Sequence, residues 1–308
     1  MGAIAAKKPA ENLKPAKHAA AKQSAMQLCP ASRAVGAEVV GYDIAKPADD
    51  AAIAAFRAAL ADHCFLLFRD QKMTPAQQVD FSRRFGELEH HVLNDYVLKE
   101  LPEIYVLSNV KESDGRPVGR AGAGQYWHTD LSYMKVPSFG SLLYAIEIPA
   151  TGGDTIFSNM YKAYDALSEP LKRLFEGMRA VHDFAHTQRT YIAPAGLTKP
   201  ASAEQLAKTP PVEQPLVRTH PDTGRKSLYV SPGMMTGIVG LMPHESRAII
   251  DLLTEHTTRP EFTYRHQWQV GDLVFWDNWA SMHCAVNDYG AGDRRLMHRT
   301  TIKGTPVS

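Results

Sequence analysis

The sequence predicts a mainly β fold with a few peripheral helices, arranged as a jelly roll of two sheets. Many short apolar or alternating runs along the chain have the length and pattern of strands, and turn residues such as Gly, Pro and Asp separate them. Only a few stretches space their apolar residues as helices do. The chain has 308 residues, 44% hydrophobic and 22% charged, which suffices for one large domain, expected at residues 27–308.

Composition excludes several classes of partner. With 34 basic and 33 acidic residues the formal net charge is +1, so no global field attracts nucleic acid or a membrane surface. Three scattered cysteines, Cys29, Cys64 and Cys284, are too few for a disulfide framework or a cysteine-rich zinc site. No stretch approaches the roughly 18 uninterrupted apolar residues of a membrane helix. We expect a cytoplasmic homo-oligomer whose partners are small molecules.

The N-terminal part of the chain predicts a tail followed by strands and helices. Residues 1–26 are rich in Ala and Lys and are expected to be flexible, with a targeting role as the alternative. The expected elements after the tail are a strand and turn at residues 39–44, a helix after Asp49, a buried strand at 64–68 and a helix after Thr74.

The C-terminal half predicts further strands and helices and one long irregular segment. Residues 183–214 are rich in Pro, Ala, Thr and Gln without sustained periodicity, so we expect a mobile lid over the active site, with a disordered insertion as the alternative. The other expected elements are a strand at residues 141–146, helices at 161–178 and 243–257, a hairpin around 221–224, and a strand at 262–268 that pairs back onto 273–276.

The candidate active site centres on Trp127-His128-Thr129-Asp130. In an extended backbone the side chains of residues i and i+2 point to the same side, so His128 and Asp130 can face one metal ion. His283, far downstream, is the best candidate for a third ligand. Two histidines and one carboxylate on one face of an octahedron leave the opposite face open, as in the non-heme Fe(II) oxygenases.

A second His-x-Asp pattern occurs at His220-Pro221-Asp222. It runs directly into Thr223-Gly224, so we interpret it as a turn rather than a metal site. Because an isolated His-x-Asp is more often an ordinary core or surface pair, the surrounding residues must decide between the two patterns.

The chain resembles the Fe(II)/2-oxoglutarate-dependent dioxygenases of the taurine dioxygenase family, which includes the 2,4-dichlorophenoxyacetate dioxygenases. The similarity runs from about Val35 to Ile302. It implies a distorted double-stranded β-helix (jelly roll) in which His128, Asp130 and His283 bind iron. The motifs that carry it, all in the family's order, are Trp127-His128-Thr129-Asp130, Gly152-Gly153-Asp154-Thr155, Trp276-Asp277-Asn278 with His283, and Arg294-Arg295-Leu296-Met297-His298-Arg299.

The resemblance also implies a site for 2-oxoglutarate. Thr155 and Arg295 would hold its distal carboxylate, and Arg299 would lie near the metal, where it can contact an anion. The planar guanidinium fork suits a carboxylate, because it donates two parallel charge-assisted hydrogen bonds. Alternation along a strand places Arg295 and Arg299 on one face and Arg294 on the other, which favours the first two.

Substrate contacts are indicated less sharply. His91 falls where taurine dioxygenase has a histidine that touches substrate, and Arg116 lies in the loop before the iron motif, where it could meet a substrate anion. Asn94 stands in place of a substrate-contacting tyrosine, and Gly124 replaces an asparagine near the iron motif. These two departures argue against taurine itself as the substrate.

The predicted enzyme is a non-heme iron dioxygenase that uses Fe(II), 2-oxoglutarate and O₂ to hydroxylate a small anionic substrate next to a heteroatom. Alternatives are an alkylsulfonate, taurine or alkyl sulfate dioxygenase, a zinc hydrolase with the same ligands, and a non-catalytic metal-binding jelly roll. An aryloxyalkanoate ranks first, because three stretches look closer to the 2,4-dichlorophenoxyacetate dioxygenases, namely Pro210-Pro211-Val212, Pro215-Leu216-Val217-Arg218-Thr219-His220 and Tyr264-Arg265-His266.

Overall fold

A computed structural model describes residues 26–290 and 292–307, so the predicted tail, except for its last residue, lies outside the described residues. The strands are β1 (Gln27–Pro30), β2 (Ala37–Val40), β3 (Phe65–Phe68), β4 (Tyr105–Ser108), β5 (Ser138–Glu147), β6 (Thr155–Asn159), β7 (Arg179–His182), β8 (Val212–Pro215), β9 (Val217–Thr219), β10 (Lys226–Leu228), β11 (Met235–Ile238), β12 (Thr263–His266), β13 (Leu273–Asp277), β14 (Ser281–Ala285) and β15 (Leu296–Lys303). The helices are α1 (Asp50–His63), α2 (Pro75–Arg83), α3 (Met160–Asp165), α4 (Glu169–Phe175), α5 (Phe184–Thr187), α6 (Ala193–Ala195), α7 (Ala203–Ala207) and α8 (Pro243–Thr257).

The strands form a jelly roll, which confirms the predicted fold. The large sheet has the order β1-β2-β3-β13-β5-β15-β4, and all its neighbours are antiparallel except β2 and β3. A smaller sheet has the order β12-β6-β14. Apolar side chains pack between the two sheets, where the ring of Phe157 in β6 lies 4.8 Å from Phe65 and 5.8 Å from Trp276 in the large sheet. The predicted active site is built at this junction.

The outer face of the large sheet carries the first two helices. Because side chains alternate along a strand, β13 points Val274 and Trp276 into the junction and Phe275 toward the helices. Phe56 of α1 and Phe81 of α2 pack against that outer face. The predicted helix starts are confirmed: Asp49 accepts a hydrogen bond from the backbone of Ala52, and Thr74 forms a capping box with Gln77.

Of two predicted strand pairings in the C-terminal half, one is confirmed and one is wrong. The hairpin is confirmed, since β9 and β10 pair antiparallel. The prediction that β12 pairs back onto β13 is wrong, because β12 pairs with β6 whereas β13 lies between β3 and β5. Gly271, with φ +87°, turns the chain from the small sheet to the large one instead of closing a hairpin.

Segment 183–214 contains more regular structure than its sequence indicates. Residues 184–195 form one continuous helical stretch, in which α5 and α6 flank a π-helical turn at Gln188–Ile192, and α7 follows before β8 begins. The π-helical turn interrupts the 3.6-residue period of the first stretch, and α7 is too short to produce a periodic apolar pattern. In the described part of the chain, none of the helices is long and apolar enough to cross a membrane.

Candidate active site

The structure brings together the three predicted metal ligands. His128 and His283 face each other across an antiparallel bridge, in which the amide of each donates to the carbonyl of the other at 2.9 and 2.8 Å. Asp130 follows two residues after His128 on the same side. The ligand atoms of the three residues all lie within 4.8 Å of one another, and all three side chains are buried. A single ion can therefore contact all of them.

The imidazoles of His128 and His283 are both neutral, which is the form that binds a metal. Nδ1 of His128 donates to the carbonyl of Tyr126 at 2.8 Å, which leaves the Nε2 lone pair free. Burial lowers the pKa of His128, and burial together with the neighbouring His128 holds the pKa of His283 well below its usual range. Neutral imidazole is the metal-binding form, so neither histidine must lose a proton at neutral pH.

Asp130 is held as a carboxylate by a dense set of partners. Burial alone would raise its pKa, but the charge of Arg299 and the hydrogen bond from Ser141 outweigh that effect, and the pKa lies well below its usual range. Arg299 donates to Oδ1 at 2.9 Å and the hydroxyl of Ser141 donates to Oδ2 at 2.6 Å. Two neutral nitrogens and one anionic oxygen on one side of a cavity match the facial set that binds Fe(II).

Asn278 fixes the backbone and the neighbours of Asp130. Its side-chain oxygen accepts from the amide of Asp130 at 3.2 Å and from the indole of Trp276 at 3.0 Å. Its amide nitrogen donates to Ser138 at 2.9 Å and to Ser141 at 3.3 Å. The Trp276-Asp277-Asn278 motif is thus a support for the metal ligands. Sequence reasoning missed the two serines, because nothing local marks a serine on a buried strand as a partner of a distant aspartate.

The predicted 2-oxoglutarate residues line a cavity beside the ligands. Thr155 and Arg295 share this cavity with His128, His283 and Arg299. Within residues 26–290 and 292–307, the guanidinium of Arg295 has no carboxylate within ion-pair distance, and its Nε donates to the carbonyl of Gly153 at 3.3 Å. Burial lowers the pKa of Arg295. A half-buried cation that lines a cavity and lacks a carboxylate partner is suited to an anionic ligand.

Neighbouring contacts show which groups point into that cavity. The hydroxyl of Thr155 accepts from the indole of Trp268 at 3.0 Å, so its own proton is available to a ligand. Arg294 is exposed and pairs with Glu147 at 2.6 Å, on the opposite face from Arg295. The alternation that the sequence predicts along this strand is confirmed.

A second cavity adjoins the metal ligands on the side of Arg299. His91 lines it and stacks on Tyr105, with ring centroids 4.2 Å apart. Arg116 does not reach it, because its guanidinium is exposed in a turn and pairs with Asp114 at 2.6 Å. Arg120 lines the cavity instead. Sequence reasoning missed Arg120, since the loop between residues 111 and 127 has no periodicity that would show which of its arginines turns inward.

The second His-x-Asp pattern has a structural role. The interpretation of residues 221–224 as a turn is confirmed, but His220 is fully buried. Its Nε2 donates to Asp277 at 2.9 Å, and its Nδ1 accepts from the amide of Asp222 at 3.2 Å. The carboxylate of Asp222 instead pairs with Arg57 at 2.7 Å. Both nitrogens of His220 are therefore engaged, and this histidine is a core residue.

We expect His220→Ala to destabilise the protein by roughly 3 kcal/mol, because it leaves the buried carboxylate of Asp277 without this donor and opens a cavity. Chemical denaturation monitored by tryptophan fluorescence measures the change. His244→Ala, which removes an exposed histidine in the first turn of α8, is the matched control and should leave stability within about 0.5 kcal/mol. Equal stability of the two variants would contradict the assignment of His220 to the core.

Comparisons with known proteins agree with this geometry. Residues 26–301 match the model of the family described as "Taurine catabolism dioxygenase TauD, TfdA family". The chain is 38% identical over 248 residues to an alpha-ketoglutarate-dependent 2,4-dichlorophenoxyacetate dioxygenase of Burkholderia sp. (strain RASC), covering 78% of this chain and 81% of that one. It is 34% identical to an (S)-phenoxypropionate/alpha-ketoglutarate-dioxygenase of Sphingobium herbicidovorans, covering 92% and 97%.

The same likeness holds in three dimensions. The crystal structure of a taurine dioxygenase from Burkholderia xenovorans superimposes with a TM-score of 0.75 at 37% identity, covering 91% of this chain and 89% of that one. The family model spans almost all of the described residues, including the three metal-ligand candidates. This chain therefore belongs to the TauD, TfdA family of dioxygenases.

Proposed function

We propose that this enzyme binds Fe(II) and 2-oxoglutarate and hydroxylates a small anionic substrate, an aryloxyalkanoate before other anions. The observation that carries the proposal is the pair of cavities that meet at His128 and Arg299, one holding Arg295 and the other lined by aromatic rings. An assembly of three metal ligands alone would fit a zinc hydrolase equally well. A half-buried arginine, Arg295, and a buried threonine, Thr155, beside them suit a second, dianionic ligand.

Each residue of the proposed iron site has a defined task. His128, Asp130 and His283 would hold ferrous iron, which would supply the oxidative decarboxylation of 2-oxoglutarate by O₂ and the transfer of one oxygen atom into a C–H bond of the substrate. Thr155 and Arg295 would bind the distal carboxylate, so that the keto acid end faces the metal. The second oxygen atom of O₂ would end in succinate, and the carboxylate next to the keto group of 2-oxoglutarate would leave as CO₂.

The second cavity suits an aromatic ether. Its walls include the rings of Tyr126, Tyr133 and Phe184, with apolar contributions from Leu131 and Met234. Hydroxylation of the carbon between ether oxygen and carboxylate gives a hemiacetal, which collapses to a phenol and an oxoacid without further catalytic groups. The protein must only position that carbon toward the metal and exclude water.

Segment 183–214 is proposed to act as the lid of this cavity. Phe184 stacks on Tyr133 with ring centroids 4.5 Å apart, and Tyr191 lies 4.6 Å from Tyr126. Further along, a methyl group of Leu197 packs so closely on Gly122 that a Cβ there would lie 2.6 Å from it. The segment therefore contacts both the cavity walls and the loop that precedes His128.

We also propose, from the sequence alone, that the protein is a cytoplasmic homo-oligomer.

Substrate-dependent succinate formation tests the proposal. The enzyme, supplied with Fe(II), 2-oxoglutarate and O₂, is assayed with aryloxyacetates, aryloxypropionates, taurine, other alkylsulfonates and alkyl sulfates. We expect the strongest stimulation from an aryloxyalkanoate, with release of the corresponding phenol. If taurine or an alkyl sulfate stimulated succinate formation and aryloxyalkanoates did not, the substrate would be a sulfonate or sulfate and not an aryloxyalkanoate. If none of these compounds supported 2-oxoglutarate turnover, the zinc hydrolase or the non-catalytic alternative would be favoured.

A further inference from the structure

The stretch of chain that carries two of the three proposed metal ligands has little support from strand pairing. His128 pairs with His283 in an isolated antiparallel bridge, and the residues on either side of His128 belong to none of the strands. Directly after Asp130 the backbone reverses at Leu131, whose φ of +56° lies in the left-handed region that residues with a side chain rarely adopt. A ladder of backbone hydrogen bonds therefore does not direct the side chains of residues 128 and 130 toward one ion, and other contacts must do so.

Thr129, which stands between the two ligands, is fastened at both of its hydrogen-bond donors. The side chain is 1% exposed, and its hydroxyl donates to the carbonyl of Asn278 at 2.8 Å. The backbone amide of Thr129 donates to the hydroxyl of Ser231 at 3.2 Å. The next amide, that of Asp130, donates to the side-chain oxygen of Asn278 at 3.2 Å. Three hydrogen bonds thus fix the backbone at the point where it passes from one ligand to the other.

The group that accepts from the Thr129 hydroxyl is itself held in place. Asn278 begins the turn between β13 and β14, and the carboxylate of the preceding Asp277 accepts from the amide of Trp279 at 2.7 Å across that turn. The same carboxylate accepts from Nε2 of His220 at 2.9 Å, and all of these residues are buried. Because the turn is tied down from two sides, a hydrogen bond to it imposes a defined position on Thr129.

We propose that Thr129 is a positioning residue for the metal site. Its hydroxyl, bound to Asn278, and its amide, bound to Ser231, keep the side chains of the two neighbouring ligands directed at one ion. This inference rests on the proposed iron site and adds to it a residue that does not contact the metal. Without the hydroxyl the backbone would populate arrangements in which the two ligand side chains diverge, and the apparent affinity for the ion falls with the fraction of molecules in the competent arrangement.

Anaerobic titration with Fe(II), at a temperature where circular dichroism shows each variant to be folded, tests this inference. Thr129→Val keeps nearly the same side-chain shape without the hydroxyl, and we expect it to weaken Fe(II) binding by about 10- to 100-fold, the usual cost of losing an outer-shell partner. Thr129→Ser retains the hydroxyl and should bind Fe(II) as the parent does. Thr257→Val is the matched control, because that hydroxyl is also buried and donates to a backbone carbonyl, that of Leu253 at 2.7 Å, but lies in α8; its Fe(II) affinity should be parental.

The outcomes separate this inference from the proposed function. Parental Fe(II) affinity in Thr129→Val refutes the inference and leaves the iron site standing. An equal loss in Thr129→Ser also refutes it, since side-chain shape and not the hydroxyl would then matter, and an equal loss in Thr257→Val would assign the effect to general stability. If Thr129→Val does not fold, Ser231→Ala, which removes the acceptor of the Thr129 amide, decides in the same titration: a loss of about 10-fold supports the inference and parental affinity refutes it. A parent that binds no Fe(II) overturns the proposed function together with this inference.

Discussion

Replacing His128, Asp130 or His283 by alanine is expected to abolish turnover and to weaken Fe(II) binding by more than the roughly 10- to 100-fold that loss of an outer-shell partner costs. Each change removes one of three protein ligand atoms that lie within 4.8 Å of one another, and no other described residue is placed to substitute. Anaerobic metal titration of each purified variant measures the affinity, and succinate formation measures turnover.

The control for these variants follows from the structure. His220→Ala is unsuitable, because that histidine is buried against Asp277 and its loss would reduce activity through stability. His244→Ala removes an exposed histidine and should keep parental metal affinity and turnover. Parental Fe(II) affinity in His283→Ala would show that the third ligand lies elsewhere, which would be a direct contradiction of the site.

Local sequence signals predicted most of the elements but not how the strands are arranged. Asp49 and Thr74 mark helix starts because a capping side chain acts on amides only two or three residues away. The pairing of β12 with β6 depends on residues more than a hundred positions apart, and no local pattern encodes that contact. A turn at Gly271 is compatible with either a hairpin or a crossing between sheets, so the sequence alone could not show which strand pairs with β12.

In the active site, too, local patterns could be predicted from the sequence and contacts between distant residues could not. The pair His128 and Asp130 could be predicted from strand alternation, whereas no local pattern links the distant candidate His283 to them, and the family resemblance added the expectation that all three bind iron. The choice between Arg116 and Arg120 depended on the path of an irregular loop, and sequence reasoning favoured the arginine that proves to be exposed. The burial of His220 was hidden for a similar reason, since its partner Asp277 comes from a distant strand.

Arg295→Ala should weaken 2-oxoglutarate binding by about 2 to 5 kcal/mol, which corresponds to roughly tens- to thousands-fold in affinity. Arg295 is half-buried, lines the cavity beside the metal ligands and has no carboxylate partner among the described residues, so the co-substrate would provide its counter-charge. Fe(II) binding should remain near the parental value, because the side chain of Arg295 donates to the carbonyl of Gly153 and forms no hydrogen bond with His128, Asp130 or His283. Titration of the Fe(II)-loaded variant with 2-oxoglutarate in the absence of oxygen measures the loss.

The neighbouring arginine offers a control of matched chemistry. Arg294→Ala removes the same side chain one residue earlier, but its guanidinium is exposed and pairs with Glu147 on the other face of the strand. Surface ion pairs of this kind contribute about 0 to 1 kcal/mol, so Arg294→Ala should bind 2-oxoglutarate as the parent does. If the two variants exchanged these behaviours, the strand would face the opposite way and the co-substrate pocket would have to be rebuilt around Arg294. Unchanged affinity in both would place the distal carboxylate at another cation, and Arg120, which lines the cavity next to Arg295, would be the first to test.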